Sequence, residues 1–340
     1  MNTKSTFRIG IFTFIIIFYL GFSYPIASQT PVLTTSRQFG PKDLPGNGLK
    51  HFDFMYAGEN KERNIYMVRK GKIVWSYTHP VPRGEISDAV MLTNGNILFA
   101  HQFGVTEINQ KKEVIWNYDA PANSEIHTAM PVGKSFVVFV QNGNPAKVVV
   151  FNKKLGIIAK EFNVPVGNPN YTHGHFRHAR LTKSGTIAVA HMDMGKVCEY
   201  DSNGKLLLTI KAPGVWAVEG LKNGNFLITT KTVVQEVNRK LEVVWEFPLQ
   251  GIPDYVVNLP QISIRRPNGN TIINNWFNPW GKDTLDIKNL PLQAIEVSKD
   301  KKIVWALRSW IEPVNLGPST IIVPLNETHV NEKISFGEFR

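Results

Sequence analysis

A unit of about 40 residues recurs along this chain, and repetition at that period means an array of small sheets before any other property is considered. The clearest copy lies between Gly84 and Asp119. Residues 87–93, 97–101, 105–109 and 114–118 are four short apolar or alternating stretches, each the length of one strand. Asn94-Gly95 separates the first two with residues that tolerate the positive φ of a tight hairpin. Trp116 in the fourth stretch supplies a ring large enough to fill the gap to a neighbouring sheet.

The same pattern can be followed in order. A first unit starts at His51 and holds three strand-like stretches, 51–58, 64–69 and 72–77, the last with Trp75. A third starts at Glu125-Ile126-His127, a fourth at Phe176-Arg177-His178, a fifth near Trp216 with Trp245 in its last stretch, and a sixth at Gln261 with Trp305. After the sixth comes a lone stretch, 319–325, of the type that opens the other units. The first unit lacks that opening strand, so the C-terminal stretch completes it and leaves no free sheet edge. The expected fold is all-β: a six-bladed β-propeller over residues 48–328, closed by a C-terminal strand, with an extended lead-in at 29–47 and a loose tail at 329–340.

Residues 1–28 read as a signal peptide: Lys4 and Arg8, an apolar run over 9–22, then Ala27-Ser28. The run is short of the roughly 20 residues that cross a bilayer, so no membrane span is expected after cleavage, and the expected location is secreted or periplasmic. The single cysteine, Cys198, excludes an intramolecular disulfide, which leaves stability to the core. The net charge of +11 points to anionic partners, although Lys and Arg are scattered along the chain; no nucleic-acid-binding module is recognisable.

Asn94-Gly95-Asn96-Ile97-Leu98 with Trp116 returns as Asn223-Gly224-Asn225-Phe226-Leu227 with Trp245 and as Asn268-Gly269-Asn270-Thr271-Ile272 with Trp305. This phrase resembles the blades of quinoprotein-like and arylsulfotransferase-type bacterial propellers. The resemblance implies a catalytic histidine at the start of an innermost strand, a position His178 fills, with His191 at the end of the next strand. Cofactor-binding quinoproteins tend to carry an adjacent cysteine pair, which this chain lacks, so pyrroloquinoline quinone is not carried over and no cofactor is expected.

Propeller sites lie at one mouth of the central channel, on the loops that lead into the innermost strands and those joining second and third strands. Here those loops carry Glu85, Ser87, Asp88, Glu125, His127, His173, Arg177 and His178, and on the other set Gln102, His191, Asp193 and Lys231. His127 and His178 share a slot in neighbouring units, as do His101 and His191 two units apart. The expected catalytic group is His178, helped by His127, His191 and Arg177, with His101, Asp88, Trp216, Gln261, Trp276 and Trp280 contacting substrate. The histidine-rich run 173–178 matches no standard metal spacing, and no metal site is assigned. An insertion at 278–291, flanked by Trp276, Phe277 and Trp280, is a candidate lid. Together these suggest a pocket for an anionic small molecule or acidic glycan, serving a transferase or a lyase or hydrolase. The other reading is a non-catalytic binding or scaffold propeller with a protein partner in the cell envelope.

Overall fold

The computed structural model describes residues 44–59, 63–81, 83–252, 255–257, 259–277, 291–311, 313–327 and 332–340. The expected signal peptide, Trp280 and nearly all of the candidate lid lie outside the described residues. Six four-stranded antiparallel sheets form the blades of a propeller. Their innermost strands are Ser319–Pro324, Asp88–Met91, Glu125–Val132, Phe176–Leu181, Val215–Gly220 and Pro260–Arg265, for blades 1 to 6. Each of these strands touches the innermost strand of both neighbours, which closes the ring. Among the described residues no helix is long and apolar enough to cross a membrane.

The closure expected from the missing strand is present: Ser319–Pro324 pairs antiparallel with Phe54–Glu59, putting both ends of the propeller in one sheet. The repeated phrase has local causes. Asn94 Oδ1 accepts from the Asn96 N–H (2.9 Å), and Gly95 between them takes φ +84°. The Asn96 amide then reaches Glu107 on the third strand (2.7 Å). Asn225 to Glu236 and Asn270 to Glu296 repeat this contact, each at 2.7 Å. Carboxylates at this position face onward to the next blade: Glu107 meets Lys153 (2.5 Å), Glu236 meets Arg265 (3.2 Å), and Glu199, which accepts from Thr186 in place of an Asn, meets Arg239 (2.7 Å). The tryptophans do the same from the outer strands. Trp75, Trp245 and Trp305 donate their indole N–H to the carbonyls of Gln110, Lys299 and Gly48, each beyond its own blade. The recurring Asn, Glu and Trp are therefore the joints between blades.

One expectation is corrected. Residues 332–340 of the tail are not loose but packed: Phe336 is fully buried in the cluster that holds Val90, Met130 and Leu181, and Glu338 pairs with Lys160. An amphipathic tail with two phenylalanines has apolar area to bury, and the hairpin-turn face of the propeller offers a place for it.

Candidate active site

Four innermost strands carry a break in register at the same height. Ile126 and Ala129 pair with Gln141 and Phe139, so His127 and Thr128 face a single residue across the ladder. The same irregularity falls at Arg177-His178, at Trp216 and at Gln261-Ile262. A bulge of this kind re-aims side chains, and here it turns His127, Arg177, His178, Trp216 and Gln261 away from the regular alternation.

His127 is the centre of the resulting cluster and is 1% exposed. Its Nε2 lies 2.8 Å from Glu125 Oε2, and its Nδ1 lies 2.9 Å from Ser87 Oγ and 3.0 Å from Glu85 Oε1. A carboxylate only accepts, so the contact with Glu125 places a ring proton on Nε2; Nδ1 is shared by Arg177 and the Ser87 hydroxyl, which also reaches Glu85 Oε1 (2.9 Å). His173, on a short turn at Thr172–Gly174, donates from Nδ1 to Glu125 Oε2 (2.7 Å). Arg177 pairs with Glu85 and crosses the His127 and His173 rings, its Nη1 2.6 Å from His127 Nδ1 and its Nη2 2.5 Å from His173 Nε2. Burial pushes the Glu85 and Glu125 carboxyls up, but Arg177 in the first case and His127 and His173 in the second outweigh it and hold both well below the usual range. Both are ionised across the working range of a histidine base.

Below this cluster Asp88, 1% exposed, accepts both prongs of Arg180 at 2.6 and 2.7 Å and the Thr128 hydroxyl at 2.9 Å. His178 lies against the same carboxylate, with Nδ1 3.9 Å from Asp88 Oδ2. Burial lowers the His178 pKa, and Asp88 offsets this only in part. His178 is therefore a neutral ring in the wall of the mouth.

A cavity of about 740 Å³ opens at this mouth. Glu85, Ser87, Arg177 and His178 line it together with Trp216, Gln261 and Trp276; Gln261 accepts from the Trp216 indole (3.0 Å). Three placements expected from the sequence are corrected. His191 does not line the cavity: Pro165 O (3.2 Å) and Tyr200 OH (3.0 Å) take its two nitrogens. His101 packs against His79 at a ring-centroid distance of 4.3 Å, away from the lining. Asp88 is spent on Arg180 and is not among the lining residues. His127 is itself behind the lining and not in it, and Glu85, Ser87, Glu125 and His173, visible on the right loops but not selected, are the groups that surround it. Tyr171, also in the lining, sits in a long connection with no signal to mark it.

Glu125, His127 and His173 are also the described residues whose ligand atoms come within 4.8 Å of one another, a carboxylate–bis-histidine set of the type that holds zinc. The Arg177 guanidinium lies across both rings, setting a positive charge against a cation at that point. The donor set fits a metal less well than it fits proton transfer.

The displaced histidines have a consequence of their own. Burial lowers His79 and His101 to about 4 and His191 to about 3, from an ordinary value near 6.5. Folded pKa values below the unfolded ones mean that the unfolded chain binds more protons between them. Their contribution is complete above pH ~6.5 and is lost as pH falls toward 4. Thermal unfolding should show Tm dropping by about 5–10 °C between pH 7 and 4.5. A His79→Phe/His101→Phe variant should flatten that slope; an unchanged slope would remove these two rings as its cause.

No model of a known protein family matches the chain, and no curated protein sequence does. Similar solved structures are propellers. A Bacteroides caccae protein of unknown function is 23% identical over 80% of this chain and 98% of its own, with a TM-score of 0.69. A streptogramin B lyase is 13% identical over 81% of this chain and 85% of its own, with a TM-score of 0.56. A catalytically inactive histidine variant of virginiamycin B lyase from Staphylococcus aureus, with quinupristin, is 12% identical over 77% and 97%, with a TM-score of 0.53. At these identities the likeness is one of fold, and the arylsulfotransferase-type resemblance stays one of blade architecture.

Proposed function

We propose that the axial mouth is the active site of a secreted or periplasmic lyase, acting by proton abstraction on a small anionic substrate of the uronate type. The observation that carries the reading is the set Ser87–His127–Glu125: a hydroxyl in the cavity lining, a buried imidazole directly behind it and an orienting carboxylate, in hydrogen-bond contact. The proton on the carbon next to the substrate carboxylate passes to the Ser87 oxygen, which lines the cavity, as the Ser87 hydroxyl proton passes to His127 Nδ1 behind it. The C=C bond forms, the C–O bond on the next carbon breaks, and the leaving oxygen is protonated by solvent. Glu125 fixes the ring and, with Glu85, compensates the imidazolium. Lys231, a cationic lining residue with no acidic partner among the described residues, meets the substrate carboxylate, while Trp216 and Trp276 offer ring faces to a sugar. The similar lyases add a further support: the fold carries lyase chemistry elsewhere, and one of them is inactive as a histidine variant.

The test is an assay of the mature protein on polyuronides and uronate oligosaccharides, reading the ultraviolet absorbance of the new unsaturated carboxylate. His127→Ala should lose about 10²–10⁴-fold in kcat with its Tm nearly unchanged. New reducing ends without the absorbance would replace elimination by hydrolysis. Release of phenol from aryl sulfates would favour the arylsulfotransferase-type reading. Ligand-induced stabilisation without turnover of any substrate would make the mouth a binding site only.

A further inference from the structure

The opposite mouth of the channel holds a larger cavity, about 1430 Å³, that the proposed reaction does not use. It lies on the face of the turns between first and second strands, and residues 332–335 and Arg340 of the packed tail form part of its wall. Eight Lys and Arg side chains line it against three carboxylates, Glu219, Glu236 and Glu332. Lys134, Lys183 and Lys222 head the equivalent turn in three successive blades, and all three side chains are exposed. None of them has a carboxylate partner among the described residues. In the sequence they sit about one repeat apart and form no run, yet the propeller gathers them on one rim. Deeper in the wall lie Arg180 and Arg265. Arg180 pairs with Asp88 and Arg265 with Glu236, and the Glu219 carboxylate lies near both, but each keeps a buried Nε with no hydrogen-bond partner. Arg180 is 2% exposed, so that unmet donor is fully desolvated, a state proteins rarely leave uncompensated.

We propose that this cavity is a second ligand site, for a small molecule carrying two or more phosphate or sulfate groups. The three lysines supply point charges across an arc that a single anionic group cannot span. The two guanidinium groups supply the fixed N–H donors suited to tetrahedral oxyanions. The tail wall makes the site a cavity sized for a small molecule and not an open polymer groove. The site is independent of the chemistry at the other mouth.

The experiment is calorimetric titration of the full chain with inorganic tripolyphosphate, with orthophosphate as the single-group comparison. Tripolyphosphate should bind at least about tenfold more tightly than orthophosphate, because each added charge-assisted contact contributes on that scale. Lys134→Ala/Lys183→Ala/Lys222→Ala should weaken it by about tenfold or more. The matched variant Lys111→Ala/Lys154→Ala/Lys240→Ala removes the same charge from exposed turns that do not line the cavity, and should change affinity by less than about threefold. His127→Ala should bind tripolyphosphate as the parent does. No binding, or equal loss in the two triple variants, would overturn the proposal, the second by showing that net charge alone attracts the probe.

Discussion

A chain ending at Pro318 is expected not to fold. The six residues Ser319–Pro324 make up the whole innermost strand of blade 1, and the strand is paired along its length with Phe54–Glu59. Ile321 and Ile322 are fully buried and Val323 is 3% exposed. Burying aliphatic side chains of this size is worth roughly 1.5–3 kcal/mol each, so the three contribute about 5–9 kcal/mol. Ser319 also donates to Asn274 in blade 6 (2.9 Å) and Thr320 to the Ala57 carbonyl (2.9 Å). Total stability is typically only about 5–15 kcal/mol, and the cut also opens the ring and bares a sheet edge on the channel. Far-UV circular dichroism with urea should show no cooperative transition for the cut chain. A sharp transition within about 1 M of the parent midpoint would mean that five whole blades close without the sixth. A chain ending at Glu327 is the control. It keeps the strand and loses the packed tail with Phe336, and should unfold cooperatively at a cost of about 3–5 kcal/mol, the scale of removing one buried phenylalanine.

That contrast follows the line between what was legible in the sequence and what was not. Blade count and closure were readable because their causes are local and repeated: Asn94 makes its own turn, Asn96 reaches a carboxylate eleven residues on, and Trp75 spans to the next blade. The site was readable to the level of loops and no finer. His127 and Arg177 were found, but the bulges that aim them depend on pairing across the ladder and leave no mark in a single strand. Glu85 meets Arg177 across 92 positions and Glu125 meets His173 across 48, convergences that no local pattern encodes. His101 and His191 were misplaced for the complementary reason. At the end of a strand one step of pleat decides between channel and interior, and both rings turn inward, onto His79 and Tyr200. The lysines of the opposite mouth were visible only as net charge, because a spacing of one repeat disperses in sequence what the propeller assembles in space.

Asp88→Asn should be among the most destabilising single substitutions in the channel. The change keeps volume and removes one charge, leaving Arg180, 2% exposed, without its two-pronged partner. Stranding one member of a buried pair costs about 3–5 kcal/mol, and for a domain of this size that lowers Tm by roughly 10 °C. Removing both charges is a different matter: the double variant Asp88→Asn/Arg180→Met should recover most of the loss, because a buried ion pair is worth little more than an apolar replacement of similar volume. Asp53→Asn is the surface control. Its partner Arg69 is 51% exposed at 3.4 Å, and the expected change is below about 1 kcal/mol. The pH dependence separates this pair from the buried histidines. Burial raises the Asp88 pKa, but Arg180 and His178 outweigh it and depress the folded value, so its contribution is present above the unfolded value near 4 and is lost only as pH falls below that. The variant should therefore lose stability evenly from pH 5 to 8 and keep the histidine slope between 6.5 and 4. Recovery by the double variant would assign the loss to an unpaired charge. No recovery would mean that Asp88 acts through Thr128 and His178 instead, tying the pair to the geometry of the mouth above it.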